Sequence, residues 1–124
     1  MTHKTRVLVV DDEPAVVRFV RTGLNAAGYE VTTATGGEEA LKLVGGKQFD
    51  IMLLDVFMEP VSGLDVLEQL GPSRKLPVIV FSAGSSVLER VMQAGADAFI
   101  AKPVRPEQLV SKIEEVLRRK KAAV

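Results

Sequence analysis

A chain of 124 residues, 47% apolar and 26% charged, is sized for one domain with one core, and without cysteine it can form neither disulfides nor thiolate metal centres. Sixteen basic residues balance sixteen acidic ones, so no overall field draws the chain to nucleic acid or an anionic membrane, and any partner must be recognised locally. No apolar run approaches the roughly 18 residues of a membrane span, and the opening "MTHKTR" lacks the apolar stretch of a signal peptide, so a cytoplasmic protein is expected.

In chain order, "RVLVV" predicts a buried strand that runs straight into Asp11, Asp12 and Glu13, followed by the helical pattern "PAVVRFVRTGLNAAG". Taken alone, these acids read as helix capping, with Asp12 as N-cap, Glu13 in the first turn and Pro14 near the first helical position. "EVTTA" predicts a second, more polar strand and "GGEEALKLVGG" a second helix. "DIMLL" is a third, apolar strand ending at Asp55; the loop "VFMEPVS" leads to the helix "GLDVLEQLG". "LPVIVF" is a fourth strand, with Ser82 at its end and a flexible "SAGSS" before the helical "SSVLERVMQAG". "DAFIA" is the fifth strand, Lys102 and Pro103 follow it, and "RPEQLVSKIEEVLRRKK" is the last helix.

Strict alternation of five strands and five helices predicts a flavodoxin-like, doubly wound parallel sheet of order 2-1-3-4-5 with helices on both faces. The nearly all-apolar first, third and fourth strands belong inside, and the more polar or small "EVTTA" and "DAFIA" at the edges. In such a sheet ligands bind at the carboxyl ends of the strands, where the chain reverses direction. Asp11, Asp12, Asp55, Ser82 and Lys102 should all meet on that rim. Singly, Asp55 could start an Asx turn, Ser82 could be a cap and Lys102 a solvated cation. Together, three crowded carboxylates repel one another unless a cation joins them, and oxygen-only donors favour Mg²⁺, with Mn²⁺ as a substitute. Mg²⁺ held in this way implies a phosphate, and Asp55, between the acid pair and Ser82, is the expected nucleophile.

"VLVVDDEP", "DIMLLDVFM" with "SGLDVLEQL", "LPVIVFSAG" and "AGADAFIAKP" together resemble the receiver domain of two-component response regulators over essentially the whole chain. The resemblance implies that Asp55 accepts a phosphoryl group from a histidine kinase or a histidine phosphotransfer protein. It implies Mg²⁺ bound directly by Asp12, Asp55 and the Phe57 carbonyl and through water by Asp11, with Ser82 and Lys102 on the phosphoryl oxygens. It further implies a cis Lys102–Pro103 bond, Phe99 as the switching aromatic beside Ser82, and a downstream protein that reads the face of the fourth helix, fifth strand and fifth helix. One receiver over residues 1–124, with its core at about 5–120 and no output domain, is expected.

The stretch from Ser82 to Lys102 is shorter than is usual in the family, so a short or displaced fourth helix is expected. Three single positions also depart from the family pattern or tune it. Glu59 stands where the family usually has proline and is expected to face solvent, with a water-mediated metal contact as the alternative. Phe57, two residues beyond Asp55, and Gly84, two beyond Ser82, border the expected path of hydrolytic water and should set the lifetime of the phosphorylated state. "ADAF" lacks the second acid common in DNA-binding relatives, so their dimer is not expected. His3 and the bases of "LRRKKAAV" read as solvated, and Met52, Met58 and Met92 as packing. Competing classes are a degenerate receiver that binds partners without phosphorylation and an Asp-nucleophile phosphatase, which would need a second carboxylate where Phe57 stands.

Overall fold

The computed structural model describes residues 4–71 and 74–122, without the side chains of residues 85, 121 and 122. His3 lies outside them. The strands are β1 (Arg6–Val10), β2 (Glu30–Ala34), β3 (Ile51–Leu54), β4 (Val78–Ser82) and β5 (Ala98–Ala101). The helices are α1 (Pro14–Ala26), α2 (Gly37–Gly46), α3 (Gly63–Leu70), α4 (Leu88–Gln93) and α5 (Pro106–Ala122). All strand pairs are parallel and the order is β2-β1-β3-β4-β5, as the alternation predicts.

The side-chain period of two divides the three inner strands between two cores. Leu8, Val10, Met52, Leu54, Val78 and Val80 face α2, α3 and α4. Val7, Val9, Ile51, Leu53, Ile79 and Phe81 face α1 and α5, meeting Val20, Leu24, Leu109, Ile113 and Val116. Each of these side chains contributes roughly 1.5–3 kcal/mol on full burial, which explains why β1, β3 and β4 are apolar along their length apart from Arg6 at the start of β1 and Ser82 at the end of β4. In the edge strand β2, Glu30 is exposed and Thr32 and Thr33 are half-buried. Met52 and Met58 are core, whereas Met92 is 42% exposed.

Helix starts depart from the capping expectation in one place. Glu13, not Asp12, is the N-cap of α1, and no side chain caps that helix. Asp11 Oδ1 instead accepts the Glu13 amide at 2.9 Å, which turns the Asp11 carboxylate inward and leaves Asp12 exposed. Pro14, whose missing N–H costs nothing at the first helical position, starts α1. α3 has a full capping box, with Ser62 Oγ accepting from Asp65 N and Asp65 Oδ2 from Ser62 N. α4 is only six residues long, preceded by a 3-10 turn over Ser85–Val87, as the shortened segment predicts. Lys102–Pro103 is cis, as the resemblance implies, and so is Glu59–Pro60.

Opposite the carboxyl rim, Asp97 gathers a polar knot. Its Oδ2 accepts from Val78 N at 2.8 Å and Arg74 Nη2 at 3.1 Å, and its Oδ1 lies 3.0 Å from Lys120 Nζ. Arg74 also donates to the carbonyls of Gly71, Leu76 and Gly95, and Arg119 Nη2 donates to the Asp97 carbonyl at 3.2 Å. Two of the terminal bases expected to be merely solvated are therefore engaged. Asp97→Ala should lower the unfolding free energy by about 2–3 kcal/mol, since it strands the Arg74 charge and the Val78 amide. Lys120→Ala, at a half-exposed position, should cost less than about 1 kcal/mol. Urea denaturation of the two variants checks both.

Candidate functional site

The residues at the carboxyl rim are placed by the backbone ladder itself. Asp11, Asp55 and Lys102 each follow the last residue of a strand, and each is held by one more ladder bond to a neighbour. Asp11 N donates to Ala34 O at 3.1 Å, Asp55 N to Val10 O at 2.9 Å, and Lys102 N to Ser82 O at 2.7 Å. The functional groups thus continue rigid strands for one step and do not ride on free loops. Ser82, the final residue of β4, is paired with Ala101.

These placements bring Asp11, Asp12 and Asp55 together, with one carboxylate oxygen of each within 4.8 Å of the others. Asp11 is fully buried and Asp55 is 4% exposed. Lys102 Nζ lies 2.7 Å from Asp11 Oδ2 and 3.7 Å from Asp55 Oδ2, and 5.0 Å from the centroid of the Phe81 ring. Lys102 is thus first an internal counter-ion to Asp11. Asp55 Oδ1 and Ser82 Oγ are buried without a hydrogen-bond partner among the described residues. Groups stranded in this way cost free energy unless something binds them.

One lysine does not neutralise three acids. Burial pushes the Asp55 carboxyl up from its ordinary 3.8 to about 6, Asp11 adds to the rise, and Asp12 adds a smaller push. Lys102 and the Phe57 backbone amide oppose the shift. The donor set, hard carboxylate oxygens with one buried oxygen unpartnered, fits a small divalent cation.

Beside the acids opens a groove of about 460 Å³ lined in part by Asp12, Phe57, Glu59 and Arg90. Phe57 is 54% exposed at its mouth. Glu59 is exposed and outside the acidic cluster, in keeping with the solvent-facing expectation. Gly84 borders open space, the nearest heavy atom to a Cβ there being Ser86 Oγ at 3.6 Å. Phe99, on the β5 face turned toward α4, is half-buried against the core that holds Val80 and Val91. The Phe81 ring under Lys102 carries no signal in the sequence, where it is one more apolar residue of β4.

A doubly wound sheet with an acidic pocket and a lysine at its switch point defines a class of α/β domains that carry a polar site where such sheets bind ligands. Within that class, the chain matches the model of the response regulator receiver domain over residues 7–114, and it belongs to that family. It is 42% identical over 119 residues to the response regulator MprA of Mycobacterium tuberculosis, covering 94% of this chain and 52% of that protein. It is 38% identical over 119 residues to the probable transcriptional regulator ycf27 of Porphyra purpurea, covering 94% of this chain and 49% of that protein. The chain thus spans about half the length of the curated relatives it matches. Among solved structures, a CheY-like receiver domain protein of Methanospirillum hungatei superposes with a TM-score of 0.90 at 31% identity, covering 98% of this chain and all of that one. The response regulator TrrA of Thermotoga maritima, solved in complex with Mg²⁺-BeF, superposes at 0.83 and 33% identity, covering 90% of this chain and 98% of that one.

The raised Asp55 pKa has a definite sign for stability. A folded-state value of about 6 above an ordinary 3.8 means the group favours the fold fully below about pH 4, and that contribution is lost as pH rises through about 6. Asp55→Asn removes the dependence. Without divalent metal, the variant should be more stable than wild type at about pH 8 by on the order of 2 kcal/mol, with the gain shrinking toward about pH 4. Urea melts in EDTA across this range test it.

Proposed function

We propose that this chain is a phosphoacceptor switch in which Asp55 takes a phosphoryl group from a histidine kinase or a histidine phosphotransfer protein. The observation that carries the reading is that two buried oxygens, Asp55 Oδ1 and Ser82 Oγ, have no hydrogen-bond partner among the described residues, on a rim that also holds Asp11, Asp12 and Lys102. The Mg²⁺-BeF bound by the TrrA relative supports it by analogy.

With a pKa of about 6, Asp55 is mostly ionised near neutral pH and can act as nucleophile. One carboxylate oxygen attacks phosphorus, the bond from phosphorus to the imidazole nitrogen of a phosphohistidine breaks, and its electron pair returns to the ring. The product is an aspartyl phosphate. Mg²⁺, or Mn²⁺ in its place, held by the carboxylates of Asp11, Asp12 and Asp55 and the Phe57 carbonyl, would supply the charge neutralisation that a phosphoryl group needs among three acids. Lys102, already 3.7 Å from Asp55, reaches the phosphoryl oxygens by giving up part of its hold on Asp11. Ser82 Oγ, with no partner to abandon, donates to another oxygen. As the hydroxyl turns toward the phosphate, Phe99 moves into the vacated space and α4 follows, which shifts the population of the face presented to a downstream protein.

Incubation with acetyl phosphate and Mg²⁺ should add one phosphoryl group by intact mass, and Asp55→Asn should add none. Mg²⁺ should raise the melting temperature of wild type but not of Asp12→Ala. Lys102→Ala should impair the adduct, while Ser82→Ala should form it and show less change near Phe99. Absence of any adduct with every phosphodonor tried would refute the reading.

Phe57 bears on how long the adduct lasts. Its exposed ring lines the groove shared with Asp12 and offers no hydrogen bond to orient a hydrolytic water. Phe57→Asn should therefore shorten the adduct's lifetime severalfold, and Gly84→Ala should change it less. Decay of the adduct followed by intact mass at fixed pH decides this, and an unchanged Phe57→Asn lifetime would overturn it.

A further inference from the structure

The loop from Val56 to Ser62, which joins the proposed phosphoacceptor to α3, is closed at its base by Gly63. Gly63 N donates to Val56 O at 2.9 Å, and Met58 N donates to the same carbonyl at 3.1 Å. A Cβ on Gly63 would lie 2.1 Å from the Asp55 carbonyl oxygen, 2.8 Å from Val56 Cα and 2.9 Å from the Asp55 carbonyl carbon. All three are backbone atoms at the end of an inner strand, so none can swing aside as a side-chain tip would. The first turn of α3 therefore rests directly on the peptide that carries Asp55.

The loop is pressed in the same way from the side of α2. A Cβ on Gly37, the first residue of α2, would meet Val61 Cγ1 at 2.7 Å and Val61 O at 2.8 Å. Neither glycine has a positive φ, so neither is required for backbone conformation. What each supplies is closeness. The capping box of Ser62 and Asp65 fixes the direction in which α3 leaves, and Gly63 fixes how near it starts.

We propose that Gly63 is a positioning residue for the acidic site, because its missing side chain sets the separation of α3 from the end of β3. That separation fixes where the Asp55 carboxylate and the Phe57 carbonyl stand relative to Asp11 and Asp12. Gly37 plays the lesser, matching part through Val61, whose side chain can yield. The inference rests on the reading of Asp11, Asp12 and Asp55 as a divalent-metal and phosphoryl site.

The test compares Gly63→Ala and Gly37→Ala with Gly45→Ala, whose Cβ would meet nothing within 4 Å. The chain has no tryptophan, so Mg²⁺ affinity is read by calorimetry and the metal-free backbone by amide resonances. Folded Gly63→Ala should bind Mg²⁺ weaker by about tenfold or more, Gly37→Ala by less, and Gly45→Ala as wild type does. In the absence of metal, amide resonances of residues 55–58 should move in Gly63→Ala and stay in Gly45→Ala. A Gly63→Ala that loses stability but keeps wild-type Mg²⁺ affinity and unmoved resonances overturns the proposal, leaving a packing role only. If Gly63→Ala does not fold, Gly37→Ala decides on the same two readouts, and wild-type values in both overturn it. If wild type itself binds no Mg²⁺, the metal reading fails separately and the resonances alone decide the placement of Asp55.

Discussion

Everything at the carboxyl rim depends on one electrostatic constraint: two buried acids and one exposed one share a space that holds a single built-in cation. Lys102 resolves the conflict only in part, at 2.7 Å from Asp11 and 3.7 Å from Asp55. The remainder appears as an Asp55 carboxyl pushed up to about 6, with Asp55 Oδ1 lacking a hydrogen-bond partner among the described residues. A fold selected only for stability would place a leucine or an asparagine there. Retaining the acids keeps the site poised for added positive charge, and the same feature makes the domain sensitive to pH.

The sheet can hold such a conflict because it is over-determined elsewhere. Inner strands buried on both faces, with the period of two splitting their side chains between two helical layers, leave no freedom in register. The strain of crowding carboxylates is taken up by one extra ladder bond at each of Asp11, Asp55 and Lys102. Precision comes from strands and chemistry from the residue one step past each strand, which is why function gathers at this edge in doubly wound folds.

The sequence made most of this legible because buried parallel strands are largely apolar: "RVLVV", "DIMLL" and "LPVIVF" announced themselves, and the acids at the tips of the first two stood out by contrast. The weaker strands "EVTTA" and "DAFIA" were legible as edges for the same reason. The brief α4 was foreshadowed by the shortened stretch between Ser82 and Lys102. Contacts between distant residues were hidden. Nothing local tells that Asp97 will receive Arg74 and Lys120, or that Phe81 will lie under Lys102. Capping rules pointed to Asp12 as the start of α1, but the inward turn of Asp11 onto the Glu13 amide gave that place to Glu13. The competing bond was available only because Asp11 was already held by β2.

The Asp97 knot has a mechanical consequence for the half of the sheet that faces α4. At one end β4 and β5 are stitched by the Asp97 carboxylate on the Val78 amide, and at the other by the Lys102 amide on the Ser82 carbonyl. A ribbon fastened at both ends cannot slide lengthwise. It can only bow, or let the side chains along it roll. A displacement at Ser82 is therefore held back from passing along the strands toward the C-terminal turn of α5, where Arg119 and Lys120 are moored to the same fastening.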